Sequence, residues 1–138
     1  MERLVRVLLI FIALIAVLTG FMDVVVGAVA QLNIGIDLPA QALRDPVLDS
    51  QVRFLGAIWC GFGFLIIYGL YDLFNRRVLL QGAMLFVILG GIGRFASAAM
   101  LGLPENTAGQ GFVVLAIIIE LVVAPFILLA MSKFKPPQ

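Results

Sequence analysis

Four charged residues lie within, or at the mouth of, the long apolar stretches of this sequence: Asp23, Arg53, Arg94 and Glu120. Two are positive and two are negative, so the set can neutralise itself. A charged side chain at bilayer depth costs roughly 2.5–3.5 kcal/mol on insertion scales, and it therefore usually faces a partner or a wet cavity rather than lipid. The chemistry open to these side chains is ion pairing, anion binding or proton exchange.

Three interpretations of this quartet remain open. It can be a structural network that fixes helix register, a ligand or ion pocket open to the outer side, or a proton-coupled step that uses Asp23 or Glu120. Ser97 follows Arg94 by one turn, and Trp59 lies one and a half turns below Arg53. Both join the candidate cluster, although a tryptophan at this place is more often an interfacial or core residue than a ligand platform.

Other kinds of chemistry have little support in the sequence. The chain has no histidine and one cysteine, Cys60, so we expect no metal site, no cofactor and no intrachain disulfide. No catalytic set of acid, base and nucleophile is recognisable, and no glycine-rich phosphate loop occurs in a strand–turn–helix context. The net charge of +1 gives no electrostatic footprint for nucleic acid. We therefore expect a protein that is not an enzyme and does not bind nucleic acid.

The composition defines the class of protein that must position the quartet. Of the 138 residues, 63% are hydrophobic and 12% are charged, whereas soluble domains are typically about 45–50% apolar and about 25% charged. A small domain has too little interior to bury such an excess. The sequence therefore predicts a multi-pass membrane protein that forms a single domain over residues 1–138.

Four apolar runs are each long enough to cross a bilayer as a helix, which takes about 17–25 residues. They cover approximately residues 7–29, 54–70, 79–100 and 112–131. The first run ends in Ala28-Val29-Ala30, which is similar to a signal-peptidase site. However, the run is longer than a signal peptide's apolar region and Asp23 interrupts it, so we interpret it as a retained helix. The expected fold is an all-α, antiparallel four-helix bundle.

The basic residues predict the orientation of this bundle. Six of the nine flank one set of helix ends, whereas only Arg44 clearly belongs to the other side; the six are Arg3, Arg6, Arg76, Arg77, Lys133 and Lys135. Under the positive-inside rule, both termini lie in the cytoplasm.

The connections suggest which helices are neighbours. The first external loop, about 30–51, contains Pro39 and Pro46, which break any long helix there. Residues 41–44 are expected to form a short turn, Asp49 and Ser50 to cap the second span, and Thr107 to cap the fourth. Short links make spans two and three, and three and four, antiparallel neighbours. Pro125 is expected to kink the fourth span.

Small residues share a helical stripe with each charge, which places the charges on packing faces. The expected stripes are Ala16, Gly20, Asp23 and Gly27; Arg53, Gly56, Ala57, Cys60 and Gly61; Gly90, Arg94 and Ser97, flanked by Gly91, Gly93 and Ala98; and Ala116, Glu120 and Ala124. At about 1.5 Å rise per residue, all four charges fall in the outer half of the membrane. We expect Arg94 to pair with Glu120, and Arg53 to reach Asp23.

Three blocks of sequence resemble one known family. They are Asp49-Ser50 with Arg53-Phe54-Leu55-Gly56 and Trp59; Gly90-Gly91 with Arg94, Ser97, Gly102 and Pro104; and Glu120-Leu121 with Ala124-Pro125. Together they resemble the small bacterial four-helix membrane proteins grouped as domain of unknown function 4345, over nearly the whole chain. The resemblance implies a short four-helix inner-membrane protein and transfers no catalytic role.

Two classes of function follow from these observations. The first is a non-enzymatic binding or accessory module whose charged outer pocket takes an anionic or amphipathic ligand, or a partner helix. The second is a small transporter or channel subunit, possible only as an oligomer because four helices are few for a full pathway. The expected partners are membrane lipids, further copies of the chain, or a larger membrane complex.

Overall fold

A computed structural model describes residues 1–134 of the chain. Lys135, which contributes to the predicted basic flank, and Gln138, the C-terminal residue, lie outside this range. The described residues form helices and short links, without a strand in that range. The long helices run antiparallel, and we call the two ends of the bundle the terminal end, which carries Met1 and residues 72–76, and the loop end, which carries residues 27–45 and 102–106.

The first helix, α1, covers Glu2–Val26 and ends at Gly27. Gly27 has φ +72°, a conformation that glycine adopts without steric cost, and its amide N–H donates to the Asp23 carbonyl. A 3₁₀ segment, Gly27–Ile34, then continues the chain to Gly35, which has φ +84°. The helical part of this first segment therefore extends beyond the predicted residues 7–29.

The second helix, α2, covers Pro46–Tyr71 and begins eight residues before the predicted span. The Asp45 carboxylate caps it by accepting from Leu48 N at 2.8 Å, and Pro46 occupies the first turn. The expected caps Asp49 and Ser50 lie inside the helix, because a proline suits a helix start even though it breaks a helix interior. Ahead of it, Ala42–Arg44 forms a short 3₁₀ turn, close to the predicted one.

The remaining chain forms α3 (Arg77–Leu101), α4 (Thr107–Ile118), a π-helical segment (Ile119–Val123) and α5 (Ala124–Ser132). The cap of α4 is Asn106, one residue before the predicted Thr107, and its side chain accepts from Gly109 N at 2.7 Å. The π segment ends two residues before Pro125, whose missing N–H cannot form the α-helical bond to residue 121.

Four helical stretches in the described chain are long and apolar enough to cross a membrane. They are Glu2–Ile34, Pro46–Tyr71, Arg77–Leu101 and Thr107–Ser132. Many large apolar side chains on all of them point away from the bundle, for example Leu18, Phe64 and Phe86. An outward-facing apolar surface of this extent is typical of a protein surrounded by lipid.

The most extensive helix contact joins α1 and α2. It is a close backbone approach, because a Cβ on Gly20 would lie 2.5 Å from the backbone N of Cys60, and one on Gly63 would lie 2.9 Å from the Ala13 carbonyl O. Gly56 packs against Gly20 and the Asp23 side chain in the same way. The predicted stripe on α2 is therefore correct at Gly56, whereas Gly61 faces open space.

The hydrophobic core lies toward the terminal end of the bundle. Its fully buried large side chains include Leu9, Ile66, Leu80, Met84 and Ile127. Toward the loop end, α4 has one buried residue, Gly109. In that half of the bundle, the helices are held together by the glycine-mediated contact of α1 with α2 and by specific polar contacts. Several of the polar contacts involve the predicted charged residues.

Candidate functional site

The Arg94 guanidinium on α3 pairs with the Glu120 carboxylate in the π segment. Arg94 Nε donates to Glu120 Oε2 at 3.1 Å, and Nη2 donates to Oε1 at 3.3 Å. The side chains are 35% and 13% exposed, the most enclosed of the ion pairs found within residues 1–134. The pairing predicted from depth and from the short link between the two spans is therefore confirmed.

Two neighbours set the geometry of this pair. Gly91 on α3 leaves the space that Glu120 occupies, since a Cβ on Gly91 would lie 2.6 Å from the Glu120 Cβ. The Arg94 guanidinium carbon also lies 5.3 Å from the centroid of the Phe112 ring, within cation–π range. Gly91, rather than the predicted Gly90, is thus the glycine at the interface, because Gly90 faces open space.

Arg94 contacts Glu120 through only one edge of its guanidinium. The group carries five N–H donors, and the side-on contact uses the Nε donor and one donor of Nη2. Within residues 1–134, Nη1 of Arg94 takes part in no hydrogen bond to the protein. A second, end-on edge therefore remains able to bind a carboxylate or phosphate oxygen pair.

Arg53 has different partners from those predicted. Its Nε donates to Asp49 Oδ2 at 2.7 Å, and its Nη1 donates to the carbonyls of Val24 at 2.6 Å and Val25 at 3.1 Å. The prediction that Arg53 reaches Asp23 is wrong. Asp49 lies one turn before Arg53 on the same helix, and the unpaired carbonyls at the end of α1 attract the rest of the guanidinium.

The Asp49 carboxylate completes this junction from the other side. Its Oδ1 accepts from Ala28 N at 3.0 Å, at the start of the 3₁₀ segment. Asp49 and Arg53 together therefore satisfy backbone groups on both sides of Gly27, where α1 ends. We call this set the Gly27 junction: Val24, Val25, Gly27, Ala28, Asp49 and Arg53. The i, i+4 spacing of Asp49 and Arg53 was the sequence signal for it.

The Asp23 side chain lies beside the Gly27 junction without taking part in it, although the Asp23 backbone carbonyl accepts from Gly27 N. Its Oδ1 accepts from Gln31 Nε2 at 2.9 Å, and its Cβ packs on Gly56. Asp23 forms none of the ion pairs found within residues 1–134. The four predicted charges are thus divided between an Arg94–Glu120 pair, an Arg53–Asp49 pair and a separate Asp23.

The other candidate residues lie outside these ion pairs. Trp59 donates from Nε1 to Thr19 Oγ1 at 3.0 Å and stacks on Phe62 with ring centroids 5.2 Å apart. Ser97 is exposed on α3. Phe95, the neighbour of Arg94, is 57% exposed. Trp59 therefore packs on its own helix and on α1, and Ser97 lies on the outer surface of the bundle.

A shallow, open groove of about 340 Å³ lies between α3 and α4. Its lining is apolar and includes Phe95, Ala98 and Ile117. None of the four predicted charges lines it, but Ala98 follows Arg94 by one turn and Ile117 precedes Glu120 by three residues. The groove therefore runs along the same seam as the ion pair, toward the loop end.

A contact that the sequence did not predict closes the loop end. Asn106 Nδ2 donates to the Gly35 carbonyl at 2.7 Å, and Gly35 packs on the backbone of Gly109. This contact joins the end of the 3₁₀ segment to the start of α4. The sequence signal was weak, since it consisted of two glycines and an asparagine in separate loops.

The fold and these contacts define a small all-α protein with four helices compatible with membrane spanning and with charged pairs between and along them. A family model described as "Domain of unknown function (DUF4345)" matches residues 4–131. The chain belongs to this family, as the sequence blocks around Arg53, Arg94 and Glu120 indicated. Comparisons with curated proteins and with solved structures give no match.

Proposed function

We propose that the protein is a multi-pass protein of the bacterial inner membrane with both termini in the cytoplasm. Its four long apolar helices and its outward-facing apolar side chains support this location. The distribution of basic residues supports the orientation, since Arg3, Arg76 and Lys133 lie at the terminal end, whereas Arg44 is the basic residue in the loops of the loop end. A reporter fused after Gln138 is expected to be cytoplasmic, and an external reporter would contradict the orientation.

Within this topology we propose a non-enzymatic binding module whose ligand-facing group is Arg94. The observation that carries the proposal is the unoccupied end-on edge of its guanidinium, on a side chain that is 35% exposed. Glu120 fixes the orientation of Arg94 and offsets part of its charge. The edge that remains is suited to an anionic group, which would bind through charge-assisted hydrogen bonds.

The ligand class follows from the surroundings of Arg94. Arg94 lies seven residues before the end of α3, so it is about 10 Å below the loop end, which the proposed orientation places on the outer side. The seam beyond it is apolar, with Phe95, Ala98 and Ile117 along the groove. We therefore propose a small amphipathic acid that enters from the outer side, with its acidic group at Arg94 and its apolar part along α3 and α4.

Arg53 has a different role in this proposal. Its Nε donates to Asp49 and its Nη1 donates to two backbone carbonyls, so three of its five donors are engaged in the Gly27 junction and neither edge of the guanidinium is left complete for a ligand. Arg53 therefore supports the end of α1 instead of contacting the ligand. Asp23, Trp59 and Ser97 likewise contribute no contact to the proposed acid.

The proposal is tested by ligand-dependent thermal unfolding of the purified protein. Octanoate and decanoate are added to wild type, to Arg94→Gln and to the control Arg44→Gln, which removes an exposed arginine outside the site. We expect at least one acid to raise the unfolding temperature of wild type and of Arg44→Gln, and to leave that of Arg94→Gln unchanged. If no acid stabilises wild type, the Arg94–Glu120 pair is a register-fixing contact and the binding proposal fails.

A second candidate is a small oligomeric transporter or channel subunit that couples to protons. Two observations favour it: Asp23 has a glutamine as its hydrogen-bond partner and no cation among residues 1–134, and Glu120 lies in a π-helical segment, a local geometry frequent at functional sites. Proton flux into liposomes containing the protein, lost in Asp23→Asn or Glu120→Gln, would support this function. Absence of flux in wild type would exclude it.

A further inference from the structure

Five basic residues of the described chain surround the terminal end of the bundle. They are Arg3, Arg6, Arg76, Arg77 and Lys133, and the acidic residues there are Glu2 and Asp72. Five positive and two negative charges leave a net charge of +3 at this end. We call this surface the basic end.

Three of the four arginines of the basic end, Arg6, Arg76 and Arg77, donate to backbone carbonyls. Arg76 Nη1 donates to the Tyr68 carbonyl at 2.6 Å, and its guanidinium carbon lies 3.7 Å from the centroid of the Tyr68 ring. Arg6 Nη1 donates to the Leu70 carbonyl at 3.1 Å. Both groups therefore sit at the carbonyl end of α2, where cations are favourable, and lose little further side-chain freedom on binding a ligand.

Arg77 is fixed at the end of the last helix in the same manner. Its Nη1 donates to the Phe134 carbonyl at 2.9 Å, and its guanidinium lies 5.8 Å from the centroid of the Phe74 ring. The side chains of Arg76 and Arg77 each make one hydrogen bond to the described part of the chain. Among residues 1–134, four of the five donors of each guanidinium therefore have no protein partner and can bind an external acceptor.

The nearby carboxylates are engaged elsewhere. Asp72 accepts from Asn75 Nδ2 at 2.7 Å and from Asn75 N at 3.1 Å, and these hydrogen bonds hold the pKa of the Asp72 carboxyl below its usual range. Glu2 accepts from Arg6 Nε at 2.9 Å. Neither carboxylate forms an ion pair with Arg76 or Arg77 among the described residues.

We propose that the basic end binds the phosphodiester headgroups of anionic phospholipids in the leaflet that faces it, with Arg76 and Arg77 as the main contacts. Guanidinium groups bind phosphate oxygens in pairs, and a juxtamembrane basic cluster attracts anionic lipid. The apolar surroundings favour a lipid over a free anion, because Tyr71 and Val78, 82% and 75% exposed, flank the arginines. This inference concerns the opposite end from Arg94 and does not depend on an acid binding there.

Native mass spectrometry of the detergent-solubilised protein tests the proposal. An equimolar mixture of phosphatidylglycerol and phosphatidylcholine is added to wild type, to Arg76→Gln/Arg77→Gln and to Arg44→Gln, the control at the loop end. We expect wild type and Arg44→Gln to retain phosphatidylglycerol preferentially. The double variant is expected to lose about fivefold of this preference for each arginine. Equal retention of the two lipids by wild type, or an unchanged preference in the double variant, would overturn the proposal.

Further measurements distinguish lipid binding at the basic end from a folding defect of the double variant and from the binding of a free anion. Lys133→Gln removes an exposed cation without a backbone contact among the described residues, and it is expected to reduce the preference partly. For wild type alone, the preference for phosphatidylglycerol should fall as the salt concentration is raised from about 50 to 500 mM, because surface electrostatics are screened.

Inorganic phosphate at equal ionic strength should not displace the lipid. Displacement would indicate a free-anion site instead. Arg94→Gln should leave the preference unchanged, so this test and that of the acid site can fail separately.

Discussion

Arg94 on α3 reaches across to the π segment and donates through Nε and Nη2 to the two carboxylate oxygens of Glu120. The contact depends on Gly91, which lets Glu120 approach α3, and on the helical register set by the π segment. The ion pair therefore holds α3 against the fourth span. Because the contact is side-on, it also leaves the other edge of the Arg94 guanidinium free to bind an anionic group.

Glu120→Gln is expected to destabilise the protein by roughly 1–3 kcal/mol. Removal of one partner lowers the free energy of unfolding by about 3–5 kcal/mol for a fully buried ion pair. An ion pair on the surface contributes about 0–1 kcal/mol. Arg94 and Glu120, which are 35% and 13% exposed, lie between these two cases. Unfolding titrations in mixed micelles should show this loss, and Glu105→Gln, which alters an exposed carboxylate, should show almost none. Equal stability of the two variants would contradict the pairing.

Arg53 and Asp49 are expected to behave as one unit. Arg53→Gln and Asp49→Asn should each lower stability, and the double variant should lose clearly less than the sum of the two, with a coupling of roughly 1 kcal/mol. Arg53→Gln combined with Asp23→Asn should instead be additive, because these two side chains form no ion pair. The same unfolding titrations provide the comparison, and a strong Arg53–Asp23 coupling would refute the Gly27 junction.

The contact between α1 and α2 is expected to be sensitive to a single methyl group. Gly20→Ala should destabilise by roughly 1–3 kcal/mol, since its Cβ would meet the backbone of Cys60 at 2.5 Å. Gly61→Ala provides a matched control on α2, because nothing lies within 4 Å of that position. Its stability should stay the same or rise slightly, as alanine is the better helix former. A neutral Gly20→Ala would show that the helices lie farther apart.

The sequence was sufficient to predict the four helices and the Arg94–Glu120 pair, because both follow from the number of residues along each apolar run. Apolar runs give the helices, and equal depths on neighbouring helices bring the two side chains together. It did not predict the Arg53 contacts, because the depth argument treated α1 as straight up to Val29, whereas Gly27 ends the helix and frees carbonyls for Arg53. The i, i+4 partner Asp49 also competes locally with any distant carboxylate.

The packing face of α3 shows a second limit of sequence reasoning. Gly90 and Gly91 are adjacent, and composition cannot decide which of them meets the next helix. The structure places Gly91 against Glu120 and leaves Gly90 and Gly93 facing open space. The Asn106–Gly35 hydrogen bond was equally unpredictable, since it joins two irregular segments whose positions depend on the whole bundle.

The central claim, that the free edge of Arg94 is reachable from the outer side, is tested most directly by labelling a cysteine beside it. Ala98→Cys, in a Cys60→Ala background, lies one turn from Arg94 and lines the groove between α3 and α4. Its reaction with a membrane-impermeant maleimide is measured on intact cells, with Val78→Cys at the terminal end as the control. We expect Ala98→Cys to react, an amphipathic acid such as decanoate to slow that reaction, and Arg94→Gln to abolish the protection. Failure of Ala98→Cys to react, or protection that persists without Arg94, would contradict the account.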